Sequence, residues 1–393
     1  MKRLRTEEWL DLLPADPRPW ILESGEPWAR YVALTELLDH EAADEAVLAA
    51  KAATLAHPAV RGLIARLPNW ERETVISGHN SSSFAPNLLG LLADMGLGAG
   101  DDPRIEGILD QMLAHQEPEG RFLSLGRWRN QESPRWGALL CDTHAITESL
   151  VRFSRAHDPR VRRACLAMAG DAALTAQGRG WPCIPDPTTG FRGPGRKGDV
   201  CPQVTLEALR VYARLPSSMR PVDGLAAART CLRAWRERGT EKPYMFGHGR
   251  QFKTVKWPAF WYDVYGVLDT LSRFPSLWKG KGARDEDRSA LAEMAACLVA
   301  YNTGADGRVT PRSCYKGYEG YSFGQKKTAS AYATARVCVP LRKLSALTAQ
   351  IREVDVHRLG SSKGGSGTPV PPGRTPPVPP TRESSRGSPS PRA

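Results

Sequence analysis

The 393-residue sequence predicts an all-α fold assembled from repeated helical hairpins. Three observations carry that expectation. Apolar residues recur at i, i+3, i+4 and i+7 in one stretch after another, the spacing of amphipathic helices. The stretches resemble one another: ITESLVRFSRAHDPRV, TLEALRVYARLPSSMRPV and YGVLDTLSRFPSLWKG superpose with Leu150, Leu209 and Leu271 as anchors, at intervals of 59 and 62 residues. Strand signals are weak throughout.

Earlier copies are YVALTELLDH around Leu37 and NLLGLLADMG around Leu92, and a later copy is ASAYATARVCVPLRKL, which makes six units. Within a unit, a first helix, a short loop and a second amphipathic helix lead into a long Gly- and Trp-rich connection. The second helix is announced twice, by Asp102-Pro103 and Asp158-Pro159. Aspartate at the N-cap accepts the unpaired N–H groups of the first turn, and proline at the first helical position has no N–H to lose. These two aspartates therefore read as caps. One six-unit body over residues 25–350, with a lead-in at 1–24 and a tail at 351–393, accounts for the length better than two or three separate domains.

Six hairpins can stack into an open solenoid or close into a ring, and solenoid repeats are typically shorter, ~20–45 residues. The connections favour closure. They contain Gln116-Glu117-Pro118-Glu119-Gly120-Arg121-Phe122, then Gln177-Gly178-Arg179-Gly180-Trp181, then Asp306-Gly307-Arg308-Val309. The first resembles the Gln-x-x-x-Gly-x-Trp element of terpenoid cyclases and protein prenyltransferases, and the others are degraded forms. The resemblance covers residues 25 to 350 and implies an α/α toroid: an inner ring of helices around a central cavity, an outer ring outside it, and reactive groups near the inner-helix N-termini. The layout from PWILESGEPWARYVALTELL to SFGQKKTASAYATARV is also similar to bacterial proteins labelled prenyltransferase- or squalene-cyclase-like. That neighbourhood implies an apolar, isoprenoid-like small-molecule ligand and, if the chain is an enzyme, a transferase or cyclase.

The formal charge of +12, from 54 Lys and Arg against 42 Asp and Glu, suggests nucleic acid until it is located. Residues 358–393 carry six basic groups against Glu383 alone, and nine of the 32 prolines fall there. This tail lacks the apolar side chains needed to offset the entropy of ordering and is expected to be disordered. Its PxxP spacings, Pro369 to Pro372 and Pro377 to Pro380, could engage a PxxP-reading domain. The body keeps +7 without a basic stripe, so nucleic acid is not expected as a partner. No stretch approaches the ~20 apolar residues of a membrane span. The beginning, MKRLRTEEWLDLLP, lacks an apolar signal core, and no cysteine pair has CxxC spacing, so a cytoplasmic protein with reduced thiols is expected.

Candidate chemistry gathers where inner helices begin. His79 and Asn80, Cys141, Asp142 and His144, Asp199 and Cys201, Tyr262 and Asp263, and Gln325, Lys326 and Lys327 occupy those positions. Residues 190–201, GFRGPGRKGDVC, resemble the part of prenyltransferase β subunits where a Gly-Phe-x-Gly loop and a lysine precede Asp-x-Cys. The resemblance implies a zinc site at Asp199 and Cys201, with Arg196 and Lys197 drawing an anionic group. Two departures stand against it: the loop is one residue shorter, and the third ligand position falls on Tyr262 beside Asp263. Asp263 or His144 could substitute, and the competing reading makes Asp199 a cap and Cys201 a packed side chain. Cys141 and His144, at i and i+3, can share a helix face, but a capping Asp142 beside a cavity-facing His144 fits as well.

Neither Asp-x-Asp-Asp nor Asp-Asp-x-x-Asp occurs, so cyclisation has no visible acid. Asp101-Asp102 and Asp285-Glu286-Asp287 read as solvated surface. Paired carboxylates for sugar chemistry would be drawn from Asp142, Asp199 and Asp263. The aromatic groups Trp181, Trp257, Phe260, Trp261 and Tyr262 could stack on sugars, line an isoprenoid tunnel or fill the core. As catalytic candidates the sequence offers Asp142, His144 and Asp263, and as ligand contacts Arg196, Lys197, Trp261 and Tyr262. The alternative is a non-catalytic toroid that keeps the cavity without the chemistry.

Overall fold

The computed structural model describes residues 7–72, 81–127, 132–186, 188, 190, 198–221, 223–239 and 249–359. His79, Asn80, Arg196, Lys197 and the proline-rich part of the tail lie outside them. The described residues are mostly helical, with fifteen α-helices. In chain order α1 (Arg18–Leu22) precedes α2 (Pro27–Val32), which runs on into a π-helical turn at Ala33–Leu37. Next come α3 (Glu45–Ala56), α4 (Pro58–Ala65), α5 (Ala85–Asp94) and α6 (Pro103–Ala114). α7 (Leu140–Arg152), α8 (Pro159–Asp171), α9 (Pro202–Arg214) and α10 (Gly224–Arg236) follow. The rest are α11 (Gly249–Lys253), α12 (Val264–Leu271), α13 (Asp285–Asn302), α14 (Ala331–Lys343) and α15 (Thr348–Glu353).

The repeat is legible in the packing. Anchors Leu37, Leu92, Leu150, Leu209 and Leu271 are all completely buried. The first helix of each unit packs on the next, α5 on α7, α7 on α9, α9 on α12 and α12 on α14, and α14 returns to α2. Tyr31 of α2 lies against Gly96, just past α5. Second helices back their own first helices, as α8 does α7, α10 does α9 and α13 does α12. The caps are as expected: Asp102 and Asp158 accept the backbone N–H groups of Arg104 and Arg160, both at 2.8 Å.

The connection after α6 has a mechanical use. The Gln116 side-chain amide donates to the carbonyls of Gly120 (2.9 Å) and Arg160 (2.7 Å), tying the turn after α6 to the start of α8. Gly120 sits at φ +103°, and a Cβ there would stand 2.7 Å from the Arg163 carbonyl oxygen, so only glycine fits. Short strands occur in these connections. β1 (Ser124–Gly126) pairs antiparallel with β2 (Arg135–Gly137), β3 (Ala173–Thr175) antiparallel with β4 (Gly178–Gly180), and β5 (Lys256–Trp257) parallel with β6 (Ser313–Cys314).

The structure moves three boundaries. Residues 7–24 are part of the core: Trp9 and Ile21 are fully buried, and buried Arg18 is held by Glu7 at 3.0 Å and Asp16 at 2.9 Å. At the other end α15 crosses residue 350 with Ile351 buried, and Val354, Val356 and Leu359 pack on the core. Finally, Asp285-Glu286-Asp287 is the first turn of α13: Asp285 and Glu286 are exposed, as a solvated surface requires, and only Asp287 departs from that reading. Asp287 is fully buried against Arg229 at 2.9 Å and Arg236 at 3.5 Å.

Candidate ligand-binding recess

The expected reactive positions do fall at helix N-termini, but most are engaged in structure. Buried Asp142, in the first turn of α7, accepts the Ser124 hydroxyl at 2.6 Å. His144 is completely buried, with Nδ1 3.1 Å from the Val204 carbonyl oxygen and its ring edge-on to Trp181. Asp263 caps α12 and accepts the Gly266 N–H at 2.8 Å. Burial raises the Asp263 pKa to about 7, against the pull of backbone N–H groups and of the Arg210 charge.

Cys201 is the N-cap residue of α9, half-buried, with its backbone N–H on the Trp181 carbonyl at 2.8 Å. Tyr262 is buried; that burial pushes its pKa well up, and the potentials of Cys231, Asp263 and Cys201 add to it. The fold thus brings Cys201, Tyr262 and Asp263 into one neighbourhood while Asp142 and His144 keep other partners. Among the described residues no three His, Cys, Asp or Glu side chains come together, and one oxygen of Asp263 is taken by the cap. Trp261 packs against the core and Tyr262 against Phe252, at 5.5 Å between rings.

The first helices of units two to six instead line a recess of about 70 Å³. Its aromatic wall comes from Trp257, Phe260, Tyr265 and Tyr332, all buried. Much of the remaining lining is ionic, where the resemblance implies an apolar one. A closed circuit of alternating charges runs through it. Asp94 at the end of α5 pairs with Arg152 at the end of α7, and Arg152 reaches Glu148 at 3.9 Å. Glu148 meets Arg214 of α9 at 3.2 Å, and Arg214 meets Asp269 of α12 at 3.6 Å. Arg336 of α14 closes the circuit, 3.8 Å from Asp269 and 3.2 Å from Asp94, while its Nε donates to the Tyr265 hydroxyl at 2.8 Å.

Two carboxylates of the circuit, Asp94 and Asp269, are held in the ionised state. Burial pushes the Asp269 carboxyl up, but Arg273, Arg336 and Arg214 outweigh it and hold the carboxyl far below the usual range. The same contest leaves Asp94 lowered, through Arg152 and Arg336. Neither Asp94 nor Asp269 retains a proton to donate near neutrality, which removes these two as general acids.

One cation on the recess wall has no carboxylate of its own. The Arg210 guanidinium makes no ion pair and no side-chain hydrogen bond among the described residues, and Asp263, pushed towards neutrality, is the acid whose potential it feels. Gly266 makes room for it: a Cβ there would lie 2.9 Å from Arg210 Nη2. Sequence reasoning missed this cation and the circuit alike. A signal existed, because Glu148 with Arg152 and Asp269 with Arg273 stand at equal offsets from anchors Leu150 and Leu271.

No family model matches this chain, and no curated protein or solved structure matches it either. No helix among the described residues is long and apolar enough to cross a membrane.

Proposed function

We propose that the chain is an α/α toroid whose central recess binds a small ligand bearing an anionic headgroup, without chemistry of its own. The return of α14 to α2 supports the closed architecture. Arg210 carries the functional reading: a guanidinium on the wall of a recess with no counter-ion of its own is completed by a carboxylate or phosphate, which its fork of N–H groups matches. The aromatic side chains of the recess, Trp257, Phe260, Tyr265 and Tyr332, would take an apolar part of the same ligand. A recess of about 70 Å³ suits a headgroup, well below the ~300 Å³ at which pockets begin to enclose whole drug-sized molecules. A long isoprenoid chain laid against the ionic circuit would strip water from charges without replacing it. Of the readings that the sequence leaves open, the ligand-binding toroid is therefore preferred to the transferase or cyclase.

A thermal-shift survey of aromatic carboxylates, lipid diphosphates and oligosaccharides tests the reading. Anionic compounds are expected to stabilise the wild type and to lose most of that effect in Arg210→Gln. Stabilisation by uncharged sugars that is indifferent to Arg210→Gln would sink it.

A further inference from the structure

We infer that the protein has a second binding site, for a multiply charged oxyanion of the phosphate class, in the recess at the C-terminal ends of α5, α7 and α9. This goes beyond the Arg210 reading and rests on different residues. The recess measures about 590 Å³ and is lined by Lys51, Arg152, Arg214, Arg273 and Tyr31, with no carboxylate in its wall. Arg152 and Arg214 also line the central recess, so the ion-pair circuit is the partition between the two.

The partition has more cationic than anionic groups to satisfy. Arg152, Arg214, Arg273, Arg336 and Lys51 draw on Asp94, Glu148, Asp269 and Asp101, and Asp269 alone serves three arginines. Burial lowers the Arg214 pKa to about 10, opposed by Glu148, with Arg152 and Arg273 adding their repulsion. An oxyanion in the recess would relieve that repulsion from the side on which no acid stands. The helix dipole favours arginines in the last turns of α7 and α9, which accounts for Arg152 and Arg214. It does not account for Lys51, which comes from α3, or for the acid-free wall. The volume is right for a phosphorylated small molecule rather than a bare ion, and guanidinium forks suit phosphate oxygens bidentately.

Calorimetric titration of the whole chain with tripolyphosphate tests the site, with inorganic phosphate and ATP as further arms. Tripolyphosphate is expected to saturate one site that persists in Arg210→Gln, and inorganic phosphate to bind that site at least tenfold more weakly. ATP binding as tightly as tripolyphosphate, or tighter, places the phosphates on an organic carrier; tenfold weaker binding assigns the site to inorganic polyphosphate. In both cases Lys51→Glu and Arg273→Gln should each weaken binding at least tenfold, while Arg210→Gln leaves it unchanged. Lys51 stands at the rim with a third of its side chain exposed, so Lys51→Glu keeps the test valid if Arg273→Gln fails to fold. Absence of saturable binding, wild-type affinity in Lys51→Glu, or a loss confined to Arg210→Gln would each overturn the site.

Discussion

Asp263 and Asp269 stand at the two ends of α12, six residues apart, and their surroundings drive them in opposite directions. Both are buried. Asp263 caps the helix and has one arginine nearby, so burial wins and its pKa rises to about 7. Asp269 is buried too, but three arginines converge on it and hold it ionised far below the usual range. The number of arginines, not the burial, sets the sign. Along α12 the carboxylate at the N-terminal end serves the backbone, and the one at the C-terminal end serves guanidinium groups.

The strongest way to break that contrast is to remove the shared carboxylate. Asp269→Asn leaves Arg214, Arg273 and Arg336 buried without it, and should cost about 3–5 kcal/mol of stability, measured by denaturant unfolding. A loss under about 1 kcal/mol would mean that the circuit is slack or hydrated.

The next effect concerns Asp263 and carries a definite sign. In the unfolded chain this group releases its proton near its ordinary pKa of 3.8, but in the folded protein only near pH 7. Between those values the folded state holds the extra proton, so stability should fall as pH rises from about 4 to about 7 and then level off. Asparagine also caps helices. Asp263→Asn should therefore flatten this part of the profile and be more stable than wild type at pH 8, by on the order of a few kcal/mol. Thermal unfolding at pH 5 and pH 8 checks it, and identical pH profiles for the two proteins would refute the assignment.

The smallest effect comes from a cap of the same kind with less burial. Asp158 starts α8 as Asp263 starts α12, but it is only half-buried, and its hydrogen bond from Arg160 keeps its pKa below the usual value. Asp158→Ala should cost about 1 kcal/mol, and in Asp158→Asn no gain at pH 8 is expected. A gain there would show that burial is not what separates the two caps.

The features legible in the sequence are those that repeat or that obey local backbone rules. The leucine anchors, the Asp-Pro caps and the starts of α5, α7, α9, α12 and α14 could all be placed, because spacing and capping chemistry act over a few residues. The recess could not. Its charged residues lie on five helices, and pairs such as Glu148 with Arg152 have the i, i+4 spacing of an ordinary solvated helix face. Only the packing of α7 between α5 and α9 turns that face inward. The motif-bearing residues are ambiguous for a related reason. Cys201 and Asp263 sit where a metal-binding pattern would put them, and they are also the N-cap residues of α9 and α12. Trp9, Arg18 and Ile21 escaped notice because they belong to no repeat and take their burial from α14 and α15, more than 300 residues away.

That distance bears on how the chain comes to fold during synthesis. Glu26, at the start of α2, is raised in pKa by burial and answered by the Ser322 hydroxyl at 2.8 Å and the Tyr332 N–H at 3.3 Å. Glu36 finds its cation, Lys343, 307 residues later at 2.7 Å. At ~5–20 residues per second, a ribosome needs roughly 15–60 s to cover that interval. Throughout it the first unit has helices that can form but acidic groups that cannot yet be buried without loss. The acidic groups of the earliest-made unit thus meet their native partners only once the last-made long helix has been synthesised.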